Sequence, residues 1–104
     1  SQASFKEALP FYLRAVELAP DLYQTNFDVG RCHYLAALQF INDNPKKSAT
    51  KLLKELTPYL QKAQTFLEKA YEINRSSVDA RSILRDIYYR LSDGEKLDIL
   101  EHGS

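Results

Sequence analysis

The stretches Ala8–Pro20, ALPFYLRAVELAP, and Ala63–Arg75, AQTFLEKAYEINR, share one spacing of small and large residues, and the second starts 55 residues after the first. Ala8, Tyr12, Ala15 and Pro20 recur as Ala63, Leu67, Ala70 and Arg75. A further set keeps the offset: Val29, Gly30, His33 and Tyr34 recur as Leu84, Arg85, Tyr88 and Tyr89. Self-similarity at a fixed interval marks repeat architectures, in which one supersecondary unit is used more than once. The steps of three and four residues inside each copy are those of one helix face. The pair predicts an all-α chain of helical hairpins stacked side by side.

The flanking residues fit this plan. Ser4 with Glu7 reads as a capping box, opening a helix that carries Phe5, Ala8, Leu9, Tyr12, Ala15, Val16 and Leu18 and stops before Pro20. Pro10 is tolerated in its second turn or resets its start. Asp21 is the expected N-cap of a second helix with Leu22, Val29, Cys32, Tyr34, Leu35, Leu38 and Ile41 apolar. Asn42, Asp43, Asn44 and Pro45 end it, and Asn44 followed by Pro45 predicts the start of a third helix. From Ala49 to Ile73 one apolar stripe runs over about seven turns. Its register is kept across Pro58, which predicts one continuous, kinked helix; the alternative is a restart capped by Thr57. Ser76 with Asp79 predicts the start of a fourth helix bearing Ala80, Ile83, Leu84, Ile87, Tyr88 and Leu91. Ser92, Asp93 and Gly94 turn the chain into a short fifth helix over 95–101.

A chain of 104 residues fits one domain with a modest core. Its 14 basic and 14 acidic residues cancel. Non-specific nucleic-acid binding needs a basic face that releases counterions, so the balance argues against nucleic acid as a partner. No apolar run approaches the roughly 18 residues of a membrane span, so insertion is not expected. The first residues lack the apolar core of a signal peptide, and nothing assigns a compartment. One cysteine, Cys32, excludes an internal disulfide.

The quoted residues resemble the tetratricopeptide repeat (TPR). The second-helix signature of that family is a small residue, a large one four later, alanine three further on, and often proline after five more. Ala8-Tyr12-Ala15-Pro20 matches it fully, and Ala63-Leu67-Ala70 matches with Arg75 in place of proline. Val29-Gly30-His33 with Tyr34 is a partial match to the first-helix signature. Leu84-Arg85-Tyr88 is weaker, because Arg85 stands where a small residue is usual. A TPR unit has about 34 residues, so about 21 extra residues lie between Tyr34 and Ala63 and lengthen both arms of the middle hairpin. The chain is similar to the C-terminal part of bacterial TPR proteins with such a hairpin. The resemblance implies a right-handed α-solenoid of antiparallel hairpins with about five helices. It would be one TPR-like domain over 1–104: the second helix of a partial repeat (4–20), an extended repeat (22–75) and a partial repeat (77–101). The first helix of the leading repeat is expected to be absent.

Candidate chemistry is sparse. Cys32 and His33 are neighbours and point about 100° apart on a helix, and the other histidine, His102, is near the chain end. No metal site and no cofactor are expected. No Gly-rich phosphate loop, nucleophile elbow or paired-histidine motif occurs. Asp86, Glu95 and Asp98 near Tyr88 read as solvated faces and caps, so no enzymatic activity is expected. Lys46, Lys47, Lys51 and Lys54 read as a solvated basic face that could meet an acidic partner or a phosphate surface.

The resemblance implies a groove lined by first helices. On the matched register it is faced by Gln24, Phe27, Arg31, Tyr34 and Leu35, then Asp79, Ser82, Asp86, Tyr89 and Arg90. Aromatic and arginine anchors are favoured at interfaces, and Arg31, Tyr34, Asp86, Tyr89 and Arg90 are the expected partner contacts. The family's clamp for chaperone C-termini uses Lys and Asn, which Phe27 and Arg31 do not reproduce. The expected function is a non-enzymatic scaffold that binds a protein or peptide. The alternative is a structural module, packing through an apolar flank at Phe5, Leu9 and Tyr12 on further repeats or on a second copy as a homo-oligomer.

Overall fold

The apolar stripe between Ala49 and Ile73 becomes the longest helix and the centre of the core. In the computed structural model, which describes residues 2–103, α1 spans Gln2–Leu18, α2 Tyr23–Asp43, α3 Ala49–Ile73, α4 Val78–Arg90 and α5 Gly94–His102. No strand occurs among the described residues. Each helix packs on the next in sequence, and α2 also meets α4. The molecule measures 39 × 35 × 18 Å. Its thickness corresponds to two layers of helices at the usual 8–10 Å separation.

Leu56, Leu60, Ala63, Leu67 and Ala70 form the buried face of α3. Leu60 and Leu67, with Val29 of α2 and Leu84 and Ile87 of α4, are fully enclosed. Burial of each such side chain contributes roughly 1.5–3 kcal/mol. The small residues set the spacing between helices, as their pattern predicts. A Cβ on Gly30 would lie 2.6 Å from Leu67 Cγ and 3.1 Å from the Leu67 backbone nitrogen. Three residues further along α2, the His33 ring stacks on Phe66 with centroids 6.5 Å apart.

The helix ends differ from expectation in informative ways. Already helical at Gln2, α1 contains Ser4, so the box with Glu7 is not its start; the Ser4 side chain lies outside the described residues. The helix also runs through Pro10. Asp21 does not cap α2; the N-cap is Leu22, without a side-chain bond, and Asp21 pairs instead with Lys69 at 3.3 Å. The turn between α1 and α2 is closed from inside. Buried Asn26 donates to the carbonyls of Pro20 (2.9 Å) and Leu22 (2.7 Å), and the Thr25 hydroxyl reaches Ala19 O at 2.6 Å.

Asn44 ends α2 rather than opening α3. Its backbone N–H donates to Ile41 O and its side chain to Phe40 O at 2.8 Å. Ser48 caps α3, accepting from Lys51 N at 3.3 Å. The helix then continues through Pro58 without a break. The Thr57 hydroxyl donates to Leu53 O at 2.7 Å and is not a new cap. Ser77, one residue later than expected, caps α4 through Ala80 N. Asp93 caps α5 through Lys96 N. These shifts are one to four residues long, the scale at which neighbouring Ser, Asn and Asp compete for the same backbone donors.

Candidate functional site

Tyr34 occupies the side of α2 that meets α4. Its hydroxyl donates to Asp86 Oδ2 at 2.6 Å, and Arg90 Nε donates to the same oxygen at 2.7 Å, an i,i+4 pair on α4. Burial pushes the Tyr34 phenol up to about 12, and the hydrogen bond to Asp86 acts in the same direction. The phenol is therefore a fixed neutral donor at physiological pH. Nearer the start of both helices, Tyr23 Oη and Ser77 Oγ are 2.7 Å apart. The two bonds join α2 to α4 in the same order along each helix.

Arg31 is one turn from Tyr34, and Tyr89 and Arg90 are each one turn or less from Asp86. Of the five expected contact residues, Tyr34, Asp86 and Arg90 meet at one carboxylate oxygen. Tyr89 is 74% exposed. Arg31 is exposed and also borders a small cleft against α1, of about 220 Å³, with Asp28 and Tyr12. Phe27, one of the groove-facing candidates, lies on α2. It is half-buried, packs on the core, and stacks on Tyr23 with centroids 5.4 Å apart. Arg90 keeps its two terminal NH2 groups beyond the bond its Nε makes. The arrangement leaves cationic donors of Arg90 beside an anchored carboxylate.

A second constellation was not legible in the sequence. The partner of Tyr88 is Glu68, 20 residues upstream on α3, at 2.5 Å; it is not Asp86, Glu95 or Asp98. Lys96 of α5 reaches the same Glu68 oxygen at 3.3 Å. Burial first, then the Glu68 bond, pushes the Tyr88 phenol far up. These groups line an open cleft of about 490 Å³ between α3, α4 and α5, with Tyr71, Arg75 and Leu100. Arg75 lies over the Tyr71 ring at 5.2 Å. Glu68 reads as one more charge on the outer side of α3, and no local spacing links it to Tyr88. Only the crossing of the helices brings them together.

Cys32 is buried, and its thiol donates to Phe5 O at 3.4 Å. Burial pushes this thiol up, with Arg31 opposing, so it packs α2 on α1 as a neutral group. Burial pushes His33 down, and Lys62 adds to the effect. Among the described residues no three His, Cys, Asp or Glu side chains gather where a metal ion could be held, and no helix is long and apolar enough to cross a membrane. Comparison with protein-family models, curated proteins and solved structures yields no match.

Proposed function

We propose that the chain is a non-enzymatic interaction module of TPR-like hairpins that binds a peptide or helix along the exposed face shared by α2 and α4. The observation that carries this reading is the pair of bonds Tyr23–Ser77 and Tyr34–Asp86, which link residues 54 and 52 apart. Their separations are close to the offset of 55 between the two sequence copies. They are what parallel placement of equivalent helices would produce. The Gly30–Leu67 and His33–Phe66 contacts support antiparallel pairing within the middle hairpin. A two-layer slab in which packing follows chain order supports an α-solenoid, whose first helices line one surface. On that surface Arg31, Tyr89 and Arg90 are the ligand-facing anchors, and Tyr34 with Asp86 positions them.

Peptides selected from a random display library on the folded chain test this directly. Joint replacement of Arg31, Tyr89 and Arg90 by alanine should weaken them by about tenfold or more, roughly 1.4 kcal/mol, with the circular dichroism spectrum kept. Peptides that bind this triple variant as tightly as the parent would remove the α2–α4 face from the reading.

One observation favours a second reading, association through α1. Phe5, Leu9 and Tyr12 are half-buried, so the open apolar flank is not where it was expected. Phe11 and Leu18, 77% and 72% exposed, lie seven residues apart on one side of the helix. A second copy could cover them.

A further inference from the structure

The zero net charge conceals a separation of charge along the chain. Between Asn44 and Leu67 there are five lysines and one acid, Glu55. That segment carries +4 and the rest of the chain −4. It comprises the tip and the first three quarters of α3, within the arm that lengthens the middle hairpin. Glu55 is already committed: it takes both bonds from Lys47, at 2.7 and 2.9 Å, and Lys47 also lies over the Phe40 ring. Lys46, Lys51, Lys54 and Lys62 are exposed and belong to no ion pair among the described residues.

The position of Lys51 runs against local stability. Ser48 caps α3 through Lys51 N. Three residues after such a cap, an acid would complete a capping box and complement the positive end of the helix. The first turn of α3 holds no acid, and a lysine stands at that point. Positions where a sequence breaks a local rule without a structural gain are where function is expected.

We propose that this arm is a docking surface for an acidic segment of a partner protein. Lys51, Lys54 and Lys62 fall on the outward side of α3 and extend over roughly 16 Å of helix rise. They are strung along a line rather than converging on a point, and none is an arginine with the fork suited to phosphate. An extended segment places every second carboxylate about 7 Å further along one side, which suits a row of separated ammonium groups. A long nucleic acid would also meet the −4 remainder of the chain, whereas a short acidic segment meets the arm alone.

Fluorescence anisotropy with a labelled deca-glutamate peptide tests this, with a deoxythymidine decamer as competitor class. The chain should bind the peptide at low ionic strength and weaken steeply with salt. Lys46→Glu, Lys51→Glu and Lys54→Glu together should lose about tenfold or more in affinity. A variant of equal net charge, Lys6→Glu, Arg14→Glu and Arg75→Glu, should stay within about twofold of the parent, since these sites lie off the arm. Lys51→Glu alone should raise the melting temperature while weakening the peptide, an opposition that a structural role for Lys51 would not produce. No binding by the parent, equal loss in both triple variants, or tighter capture of the oligonucleotide than of the peptide overturns the proposal.

Discussion

Replacing Gly30 by alanine should destabilise the protein, although the same change inside an exposed helix stabilises it. In a helix interior, Gly→Ala contributes about 0.8–1 kcal/mol in propensity. At Gly30 the new Cβ would stand 2.6 Å from Leu67 Cγ and 3.1 Å from both Leu67 Cδ2 and the Leu67 backbone nitrogen. Leu67 has no exposed surface into which to retreat, so α2 and α3 must separate. Overpacking of this kind costs about 2–3 kcal/mol, the upper part of its usual range. The net loss is then about 1–2 kcal/mol, equivalent to a melting temperature lower by about 5–10 °C in a domain of this size. Gly94, at the start of α5, is the internal control: a Cβ there meets nothing within 4 Å, and Gly94→Ala should be neutral or mildly stabilising. Urea unfolding followed by far-ultraviolet circular dichroism measures all three proteins. In a double-mutant cycle with Leu67→Ala, the Gly30→Ala penalty should shrink by at least about 1 kcal/mol. A Gly30→Ala protein more stable than the parent, or a cycle without coupling, would refute the close approach of these helices.

Stability should form a plateau in pH with a loss on each side. Tyr34 has its ordinary value of 10 raised to about 12, so the folded state keeps a proton the unfolded chain releases; stability is full below about 10 and falls as pH rises towards about 12. Tyr88 acts in the same sense. On the acid side His33 lies below its ordinary 6.5, so the unfolded chain takes the proton first and stability falls as pH drops below that value. Urea midpoints across pH should show both limbs, and Tyr34→Phe with Tyr88→Phe should flatten the alkaline one; an unchanged limb would contradict the assignment. Light scattering addresses association through α1: a concentration-dependent dimer should appear and be lost in Phe11→Ser with Leu18→Ser. A monomer at every concentration removes that reading.

The helices and their buried faces were legible because helix periodicity is a local property. Leu56, Leu60, Ala63, Leu67 and Ala70 are read as one stripe from their spacing, and they are the buried face of α3. The persistence of that stripe across Pro58 correctly indicated a continuous helix. Caps were harder, because Asn44, Ser48, Ser76 and Ser77 offer similar side chains within short distances of one another. Which one bonds the first free N–H depends on where packing stops the previous helix. Asp21 shows the same rule from the other side, since it serves Lys69 of α3 rather than its own helix.

Periodicity and spacing were enough to establish an all-helical chain and the placement of the small residues Gly30, Ala63 and Ala70 on buried helix faces, whereas the Tyr34–Asp86 bond appears only in the tertiary structure. The choice of Glu68 for Tyr88 and Lys96, the opening of the cleft beside them, and the exposure of Phe11 and Leu18 in place of Phe5 and Tyr12 came from packing. The physical reason is range. A helix face is encoded by neighbours three and four residues apart, whereas a contact between helices depends on crossing angles and on which side chains fill the shared volume, quantities distributed over the whole chain.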